Sequence, residues 1–228
     1  MAAALALVAG LGNPGPRYAD TRHNAGFWFL DRLAADRGLV FRRAAKFLGE
    51  VAEADFGGRV WLLKPETFMN HSGQSVAALA GFYRLDPRQI LVVHDDLDLP
   101  PGTVRLKRGG GHGGHNGLRD ILACLGSDDF LRLRVGVGHP GPGGDVVSYV
   151  LNRPLAEEAR LIHESVGRAL ELLPRVASGD AARVMSLLNA RPRPPAAEGE
   201  GKGTGEGKPS PEARGSDQAR TKLGPGLD

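Results

Sequence analysis

The stretch QILVVHDDLDLPPG, residues 89–102, contains the feature that decides the fold of this chain. An apolar run at 90–93 predicts a short strand, and His94, Asp95 and Asp96 follow it without a break. Side chains in that position lie at the carboxyl end of a strand, which is the edge where open α/β sheets place their ligands. The acids and the closing PPG are also compatible with an ordinary turn.

Strand-like and helix-like segments alternate around this stretch. Gly57-Gly58 separates two strand-like segments as a two-residue hairpin signal, and Pro154 and Asp180 occupy positions typical of helix starts. Hairpins mixed with strand–helix alternation predict an α/β domain with a mixed β-sheet and helices on both faces. The predicted strands are 5–10, 49–56, 59–65, 89–96, 103–108 and 132–138, and the predicted helices are 22–37, 67–83, 114–125, 154–173 and 178–189.

Composition limits the classes of function. The chain has 228 residues, of which 24% are charged and 41% hydrophobic, as is usual for a soluble globular protein. A formal net charge of +3 is compatible with a nucleic-acid partner but does not by itself indicate one. Cys124 is the single cysteine, which excludes an intramolecular disulfide and a cysteine-based metal cage and is typical of a reducing cytoplasm.

Both ends of the chain have a distinct composition. The apolar start MAAALALVAG has no Lys or Arg before it, unlike a signal peptide, so we expect a buried first strand at 5–10 in a cytoplasmic protein. No apolar run approaches the roughly 20 residues that cross a bilayer. Residues 191–228 are rich in Gly and Pro, and their only large aliphatic residues are Leu223 and Leu227. We predict a folded domain at 1–190 and a disordered tail at 191–228.

The first glycine-rich stretch resembles a dinucleotide-binding motif only superficially. Gly10, Gly12 and Gly15 match G-x-G-x-x-G directly after a strand, but prolines bracket the third glycine and no helix opens there. The interpretation that remains is a tight loop that lifts Asn13 and Tyr18 to the carboxyl edge of the sheet.

The second glycine-rich stretch, GGGHGGHNG at 109–117, allows several interpretations. Its backbone N–H groups could bind an anion at the start of the next helix, or its glycines could permit close approach of a ligand. His112 and His115 could hold a divalent metal together with the acidic cluster, although no known zinc spacing is present. The simplest interpretation of these two histidines is structural.

Two residues near helix starts have simple structural interpretations. Asn24 is suited to cap the helix that follows His23, and Thr67 is suited to cap the helix predicted at 67–83. A lone histidine at a helix start is more often structural than catalytic, so His23 alone does not indicate a function.

Taken together, the motifs resemble those of bacterial peptidyl-tRNA hydrolases. The matching stretches are GLGNPG…Y…T.HN.G (10–26), KP.T.MN.SG (64–73), HDDLDLPPG (94–102), GGGHGGHNGLRD (109–120), RLRVGVGHPG (132–141) and YVLNRP (149–154). The resemblance covers essentially residues 5–189 and implies a monomeric single α/β domain with a mixed twisted sheet flanked by helices. It also implies hydrolysis of the ester between a peptide and the terminal ribose of tRNA, which recycles tRNA after premature drop-off from the ribosome.

The resemblance implies roles for individual residues. His23 matches the catalytic histidine of the family, and Asp95 matches the carboxylate that orients it. The matching substrate-binding positions are Asn13, Asn70 and Asn116, which contact the peptide and the reacting carbonyl, and Tyr18, Phe68 and Met69, which line the cleft. Arg105 and Arg134 match positions linked to the phosphates of tRNA, and strand alternation adds Lys107 to the same basic patch. Two departures, Asp96 for a frequent Glu and Asn152 for a frequent Gly, do not concern the chemistry.

The chemistry of the residues agrees with the resemblance. A histidine can activate water near neutral pH, a carboxylate on its second nitrogen fixes the tautomer, and asparagine amides can stabilise an oxyanion. Such a set needs neither metal nor cofactor, so we expect peptidyl-tRNA as the partner and no bound ion. Two alternatives remain: a metal-dependent hydrolase, and a catalytically inactive RNA-binding relative.

Overall fold

A computed structural model of the protein describes residues 4–190, which form one α/β domain. The predicted tail at 191–228 lies outside the described residues. A seven-stranded sheet runs in the order β2-β3-β4-β1-β5-β7-β6. Its strands are β1 (Leu7–Gly10), β2 (Arg42–Ala44), β3 (Gly49–Asp55), β4 (Arg59–Pro65), β5 (Ile90–Asp96), β6 (Val104–Arg108) and β7 (Leu131–Gly136).

Six α-helices are present among the described residues, and none of them is both long and apolar enough to cross a membrane. They are α1 (Ala25–Arg37), α2 (Ser72–Tyr83), α3 (Asn116–Leu125), α4 (Val146–Val150), α5 (Ala156–Ala177) and α6 (Ala181–Asn189). Single 3₁₀ turns precede two of them, at Arg22–Asn24 before α1 and at Met69–His71 before α2.

The sheet is mixed, as the sequence predicts. Strands β4, β1, β5 and β7 are parallel, whereas β3 runs antiparallel to β4 and β6 runs antiparallel to β7. Successive residues of the central strands alternate between two apolar clusters. Val8, Leu91 and Val93 pack in the cluster that contains α1, α5 and α6, and Leu7 and Val92 pack in the cluster that contains α2 and α3. The prediction of helices on both faces is therefore confirmed.

The predicted elements are present, with shifted ends and two omissions. The sequence did not indicate β2 or α4, because three- and five-residue elements carry too little periodicity. Helices α1 and α2 begin later than predicted because 3₁₀ turns precede them, at Arg22–Asn24 and Met69–His71, and residues 67–68 are not helical. The hairpin loop has three residues rather than two, since Asp55 pairs with Arg59 and its carboxylate accepts the N–H groups of Gly57 and Gly58.

Two glycines let α1 begin directly on the sheet. A Cβ atom on Gly26 would lie 2.2 Å from the nitrogen of Leu11 and 2.4 Å from the carbonyl oxygen of Val93. A Cβ on Gly10 would lie 2.3 Å from the carbonyl oxygen of Gly26. No larger residue fits between these backbones, so the first turn of α1, with His23 just before it, is held against the carboxyl ends of β1 and β5.

A second close contact joins the start of α2 to the middle of α3. A Cβ on Gly73 would lie 2.3 Å from the carbonyl oxygen of Asp120, and the Asp120 carboxylate accepts the Gly73 N–H at 2.7 Å. The carboxylate therefore satisfies one of the free N–H groups at the start of α2. Because the two helices cross here, Asn70 before α2 and Asn116 at the start of α3 reach the same region.

We predict that Gly26→Ala destabilises the protein by about 3 kcal/mol or more, since the added methyl group cannot be accommodated without moving backbone. Gly81→Ala is the matched control: Gly81 is exposed near the end of α2 with open space at its Cβ position. That change should stabilise the helix by about 0.5–1 kcal/mol. Urea unfolding of both variants measures the difference, and equal stability of the two would contradict the close-contact interpretation.

Candidate active site

A cleft of about 980 Å³ lies at the carboxyl ends of the central strands. This is the edge at which open α/β sheets place their ligands. Ten of the eleven site residues predicted from the sequence line it: Asn13, Tyr18, His23, Phe68, Met69, Asn70, Asp95, Lys107, Asn116 and Arg134. Arg105 is the exception.

His23 and Asp95 form the centre of the cleft. The Nδ1 atom of His23 lies 2.9 Å from both carboxylate oxygens of Asp95, and both residues are buried. A carboxylate only accepts hydrogen bonds, so Nδ1 carries the proton and donates it. The Nε2 atom of a neutral His23 then keeps a free lone pair, which is the arrangement that a general base requires.

His115 completes this cluster through a hydrogen bond to Asp95, an acid with which the sequence suggested only a shared metal site. Its Nε2 atom lies 3.0 Å from an oxygen of Asp95. Its Nδ1 atom accepts the N–H groups of Gly117 and Leu118 at 3.1 and 3.3 Å, so His115 is the N-cap of α3. Since Nδ1 accepts, Nε2 must carry the proton and donate to Asp95.

This cap corrects one interpretation of the sequence and extends another. The backbone N–H groups at the start of α3 are not free for an anion, because the ring of His115 already accepts two of them. The histidine is structural, as expected, but it also holds the Asp95 carboxylate. The sequence signal for this cap was the position of His115 directly before a helix, where a side chain commonly accepts the free backbone N–H groups.

The carboxylate controls the proton affinities in the cluster. Burial lowers the pKa of His23, but the charge and hydrogen bond of Asp95 outweigh burial and raise that pKa above 6.5. Burial alone would raise the pKa of Asp95, yet the two facing imidazoles and their hydrogen bonds hold it below its ordinary value. The His23–Asp95 ion pair therefore stabilises the fold below the ordinary pKa of histidine, and this contribution is lost as pH rises through the raised value.

A third histidine supports the backbone of Asp95. His94 is buried, and its Nδ1 atom lies 2.7 Å from the Asp95 carbonyl oxygen, to which it donates. Burial is the main cause that lowers the pKa of His94 to about 3. His94 is therefore neutral near pH 7 and keeps the same tautomer.

Asn24 does not cap α1 with its side chain, contrary to the expectation. Its amide instead pairs with the backbone of Asn13: Oδ1 accepts the Asn13 N–H at 2.9 Å, and Nδ2 donates to the Asn13 carbonyl at 3.0 Å. The Oδ1 atom of Asn13 accepts the N–H of Met69 at 2.8 Å. These bonds fix which way the Asn13 amide points, and its Nδ2 has no partner among residues 4–190.

The other two predicted asparagines come from the starts of different helices. Asn70 lies in the 3₁₀ turn before α2, Asn116 is the first residue of α3, and both side chains are exposed to the cleft. Thr67 does not cap the second helix, because its hydroxyl donates to the carbonyl of His71 at 3.0 Å. Three asparagines from three separate loops therefore face one cavity.

Apolar side chains form part of the cleft wall. Phe68 is 57% exposed and packs edge-to-face with Tyr18 at 6.4 Å between ring centroids. Met69 is buried against Gly117, where a Cβ would lie 2.6 Å from the methionine sulfur. Helix α4 adds Val146 and Val147, which the sequence did not indicate.

The predicted basic residues share one face but not one role. In the register of β6 and β7, Arg105 pairs with Arg134 and Lys107 pairs with Arg132, so the four side chains do lie on the same face. Lys107 is exposed and has no ion pair among the described residues, whereas Arg134 binds the Asp96 carboxylate at 2.6 and 3.2 Å.

Two of these arginines bind backbone carbonyl groups of the protein itself. The buried Arg132 donates to the carbonyl oxygens of Gly110 and Gly111 and so holds the glycine loop in place. Arg105 donates to the carbonyl of Asn189 at 2.6 Å, at the end of α6 and outside the cleft lining. The positive charge at the cleft is therefore carried by Lys107, by Arg119 of α3, which also lines the cleft and is exposed, and in part by Arg134.

The donor set fits hydrogen bonding better than a metal ion. His23, Asp95 and His115 offer three ligand atoms within 4.8 Å of one another. Both ring nitrogens of His115 are already engaged, one by backbone N–H groups and the other by Asp95. Coordination through His115 would require loss of the α3 cap or of the bond to Asp95. His112 accepts the N–H of Gly114 at 3.1 Å and is not part of the cluster.

Known proteins are similar to this domain in sequence and in structure. The family described as "Peptidyl-tRNA hydrolase" matches residues 7–196. The peptidyl-tRNA hydrolase of Azoarcus sp. (strain BH72) is 57% identical over 188 residues, which are 82% of this chain and 86% of that protein. The peptidyl-tRNA hydrolase of Neisseria gonorrhoeae (strain NCCP11945) is 54% identical over 192 residues, 84% of this chain and 100% of that protein.

A solved structure agrees with this match. The crystal structure of peptidyl-tRNA hydrolase from Acinetobacter baumannii superposes with a TM-score of 0.79 at 45% sequence identity. The comparison covers 82% of this chain and 95% of the other.

We predict that NMR titration gives His23 a pKa above 6.5, and that Asp95→Asn lowers it below 6.5 because burial then acts without the compensating charge. Asp36→Asn is the control: Asp36 lies on α1 in an exposed pair with Arg32 and does not contact His23. An unchanged His23 titration in Asp95→Asn would show that the carboxylate does not control this imidazole.

Proposed function

The chain belongs to the peptidyl-tRNA hydrolase family, which hydrolyses the ester of peptidyl-tRNA, and from this we propose that His23 is the general base of that reaction. The observation that carries the proposal is the contact of His23 Nδ1 with both oxygens of Asp95, which leaves Nε2 free as an acceptor in the cleft. The products are free tRNA and peptide, so the reaction recycles tRNA after ribosomal drop-off.

The proposed reaction moves one proton through His23. Its Nε2 atom takes a proton from water as the water oxygen attacks the ester carbonyl, and a tetrahedral oxyanion forms. The bond from that carbon to the ribose oxygen then breaks, and the imidazolium gives its proton to the departing ribose oxygen. Asp95 stabilises the transient imidazolium, and His115 keeps the carboxylate in position.

The asparagines are suited to bind the peptide and stabilise the oxyanion. Their neutral N–H donors gain most when charge develops on the carbonyl oxygen, and one such donor can contribute about 3 kcal/mol in the transition state. Asn13 is held most firmly, since three hydrogen bonds fix its backbone and Oδ1 while Nδ2 keeps its donors. Asn70 and Asn116 supply further amide groups around the same cavity.

The remaining cleft residues are suited to the two ends of the substrate. Tyr18, Phe68 and Met69 offer apolar surface to the peptide, as the exposure of Phe68 suggests. Lys107, Arg134 and, beyond the cleft, Arg105 lie on one face and are proposed to contact phosphates of the tRNA. All of these groups come from one chain, and translation supplies the substrate in the cytoplasm, so we propose a cytoplasmic monomer.

Two other functions receive less support from the site. A metal-dependent hydrolase would need ligand atoms that His115 has already committed to hydrogen bonds. An inactive RNA-binding relative would not need the His23–Asp95 pair or the fixed Asn13 amide, and both are intact here.

We predict that the purified protein releases free tRNA from N-acetylaminoacyl-tRNA with and without excess EDTA, because His23 rather than a metal activates water. His23→Ala should lower kcat by about 10²–10⁴-fold, the range typical of a lost general base. His163→Ala, on α5 outside the cleft, is the histidine control and should retain activity. Full activity in His23→Ala refutes the assignment of the base, and loss on chelation with recovery on added zinc favours the metal alternative.

We predict that Arg105→Ala combined with Lys107→Ala raises KM for full-length peptidyl-tRNA and flattens its salt dependence. Each lost phosphate contact should reduce the log–log slope by about 0.9 or less. Cleavage of a peptidyl-adenosine ester should be unchanged, since it lacks the distant phosphates. Arg88→Ala, at the opposite end of β5, controls for net charge. Equal losses on both substrates would place the two residues in the active site or the fold.

A further inference from the structure

Arg22, the residue directly before His23, has its guanidinium buried in the turn that follows α4. Its Nη1 atom donates to the carbonyl oxygens of Tyr149, Asn152 and Arg153 at 3.2, 3.2 and 3.0 Å. Its own backbone N–H donates to the carbonyl of Asn152 at 3.2 Å. One side chain therefore binds both the last turn of α4 and the turn that follows it, although it lies more than 120 residues away in sequence.

The second terminal nitrogen of the guanidinium and its face are held as well, whereas Nε is buried without a hydrogen-bond partner among the described residues. Nη2 donates to the Glu158 carboxylate at 2.7 Å, and the same carboxylate accepts the N–H of Leu155 at the start of α5. The ring of Tyr149 lies 4.0 Å from the guanidinium carbon, and its hydroxyl donates to the carbonyl of Val137 at 2.9 Å. Arg22 is thus the centre of a network that joins the His23 turn, α4, α5 and the end of β7.

Helix α4 depends on this network for its position. It has only five residues, and the segment 139–144 that leads to it, HPGPGG, contains three glycines and forms neither a helix nor a strand. Val146 and Val147 of α4 line the cleft and are 38% and 63% exposed, so they offer apolar surface to a ligand. The contacts between Arg22 and the turn after α4 therefore determine the distance between this apolar surface and His23.

We propose that Arg22 is a positioning residue that fixes the α4 surface at the correct distance from His23, so that the enzyme gains affinity from an apolar side chain of the peptide. The proposal rests on the proposed function of the cleft. The side chain of Arg22 makes no hydrogen bond to Asp95, Asn13 or Asn24, so loss of the guanidinium should loosen the α4 surface and leave the proton-transfer geometry intact.

The test compares one tRNA carrying N-acetylleucine with the same tRNA carrying N-acetylglycine, which has no side chain for α4 to contact. For Arg22→Gln we expect KM for the leucyl substrate to rise about tenfold, the lower end of what an apolar contact contributes. KM for the glycyl substrate should change by less than about twofold, and kcat and its pH dependence should be retained for both, since the base and its carboxylate are unaffected.

Two further variants make the test specific. Arg153→Gln removes an exposed pair with Asp20 that spans the same two segments, and it should have little effect, as is typical of surface pairs. Val147→Ala should reduce the leucyl preference by itself, and adding Arg22→Gln to it should then cost less than in the wild type. Arg22→Lys retains the charge beside Glu158 but cannot reach all three carbonyls, so an intermediate KM is expected.

Several results would overturn the proposal. An equal rise of KM on both substrates would make Arg22 a general stability residue, and a fall of kcat with an altered pH profile would place its effect on His23 itself. If Arg22→Gln does not fold, a wild-type preference ratio in Arg22→Lys or in Val147→Ala refutes the positioning role. Failure of the wild-type protein to hydrolyse the glycyl substrate would refute the proposed function instead, since that substrate does not depend on α4.

Discussion

The contact of backbone with backbone between Gly10 and Gly26 is the constraint on which the site depends. Because neither residue has a side chain, the start of α1 reaches the carboxyl ends of β1 and β5 more closely than any other pair of residues would allow. The turn that carries His23 is part of that start, and Asp95 is the sixth residue of β5. One added methyl group at Gly10 or Gly26 would move His23 away from Asp95, and the proposed chemistry requires these two side chains to be in contact.

The cluster around Asp95 shows how hydrogen bonds determine protonation in a buried site. The carboxylate accepts from His23 and His115, and the carbonyl of the same residue accepts from His94. In each ring, the partners determine which nitrogen carries the proton. A carboxylate or carbonyl oxygen can only accept, and a ring nitrogen that accepts a backbone N–H cannot carry the proton itself. The pKa of His23 is raised and that of His94 is lowered, although both rings are buried, because only His23 faces the charged oxygens directly.

Much of the fold was accessible from the sequence because apolar periodicity and turn residues are local signals. The buried run of β5 and the Gly57-Gly58 turn predicted a mixed sheet correctly, whereas β2 and α4 are too short to carry a periodic signal. The site residues could be predicted from the sequence motifs, and ten of the eleven predicted residues line one cleft. Arg105 does not line it, because the end of α6 lies against β6 and its Asn189 carbonyl takes the guanidinium.

The sequence by itself determined the order of elements, the family, and the residue types available for ester hydrolysis, because these depend on local pattern and motif. Tertiary structure decided which of those residues are free to act. Asn24 binds the backbone of Asn13 rather than capping a helix, His115 joins Asp95 as well as capping α3, and Arg132 binds the glycine loop. The reason is physical: a polar side chain can satisfy its hydrogen bonds with many partners, and only the distances set by packing determine which of them it meets.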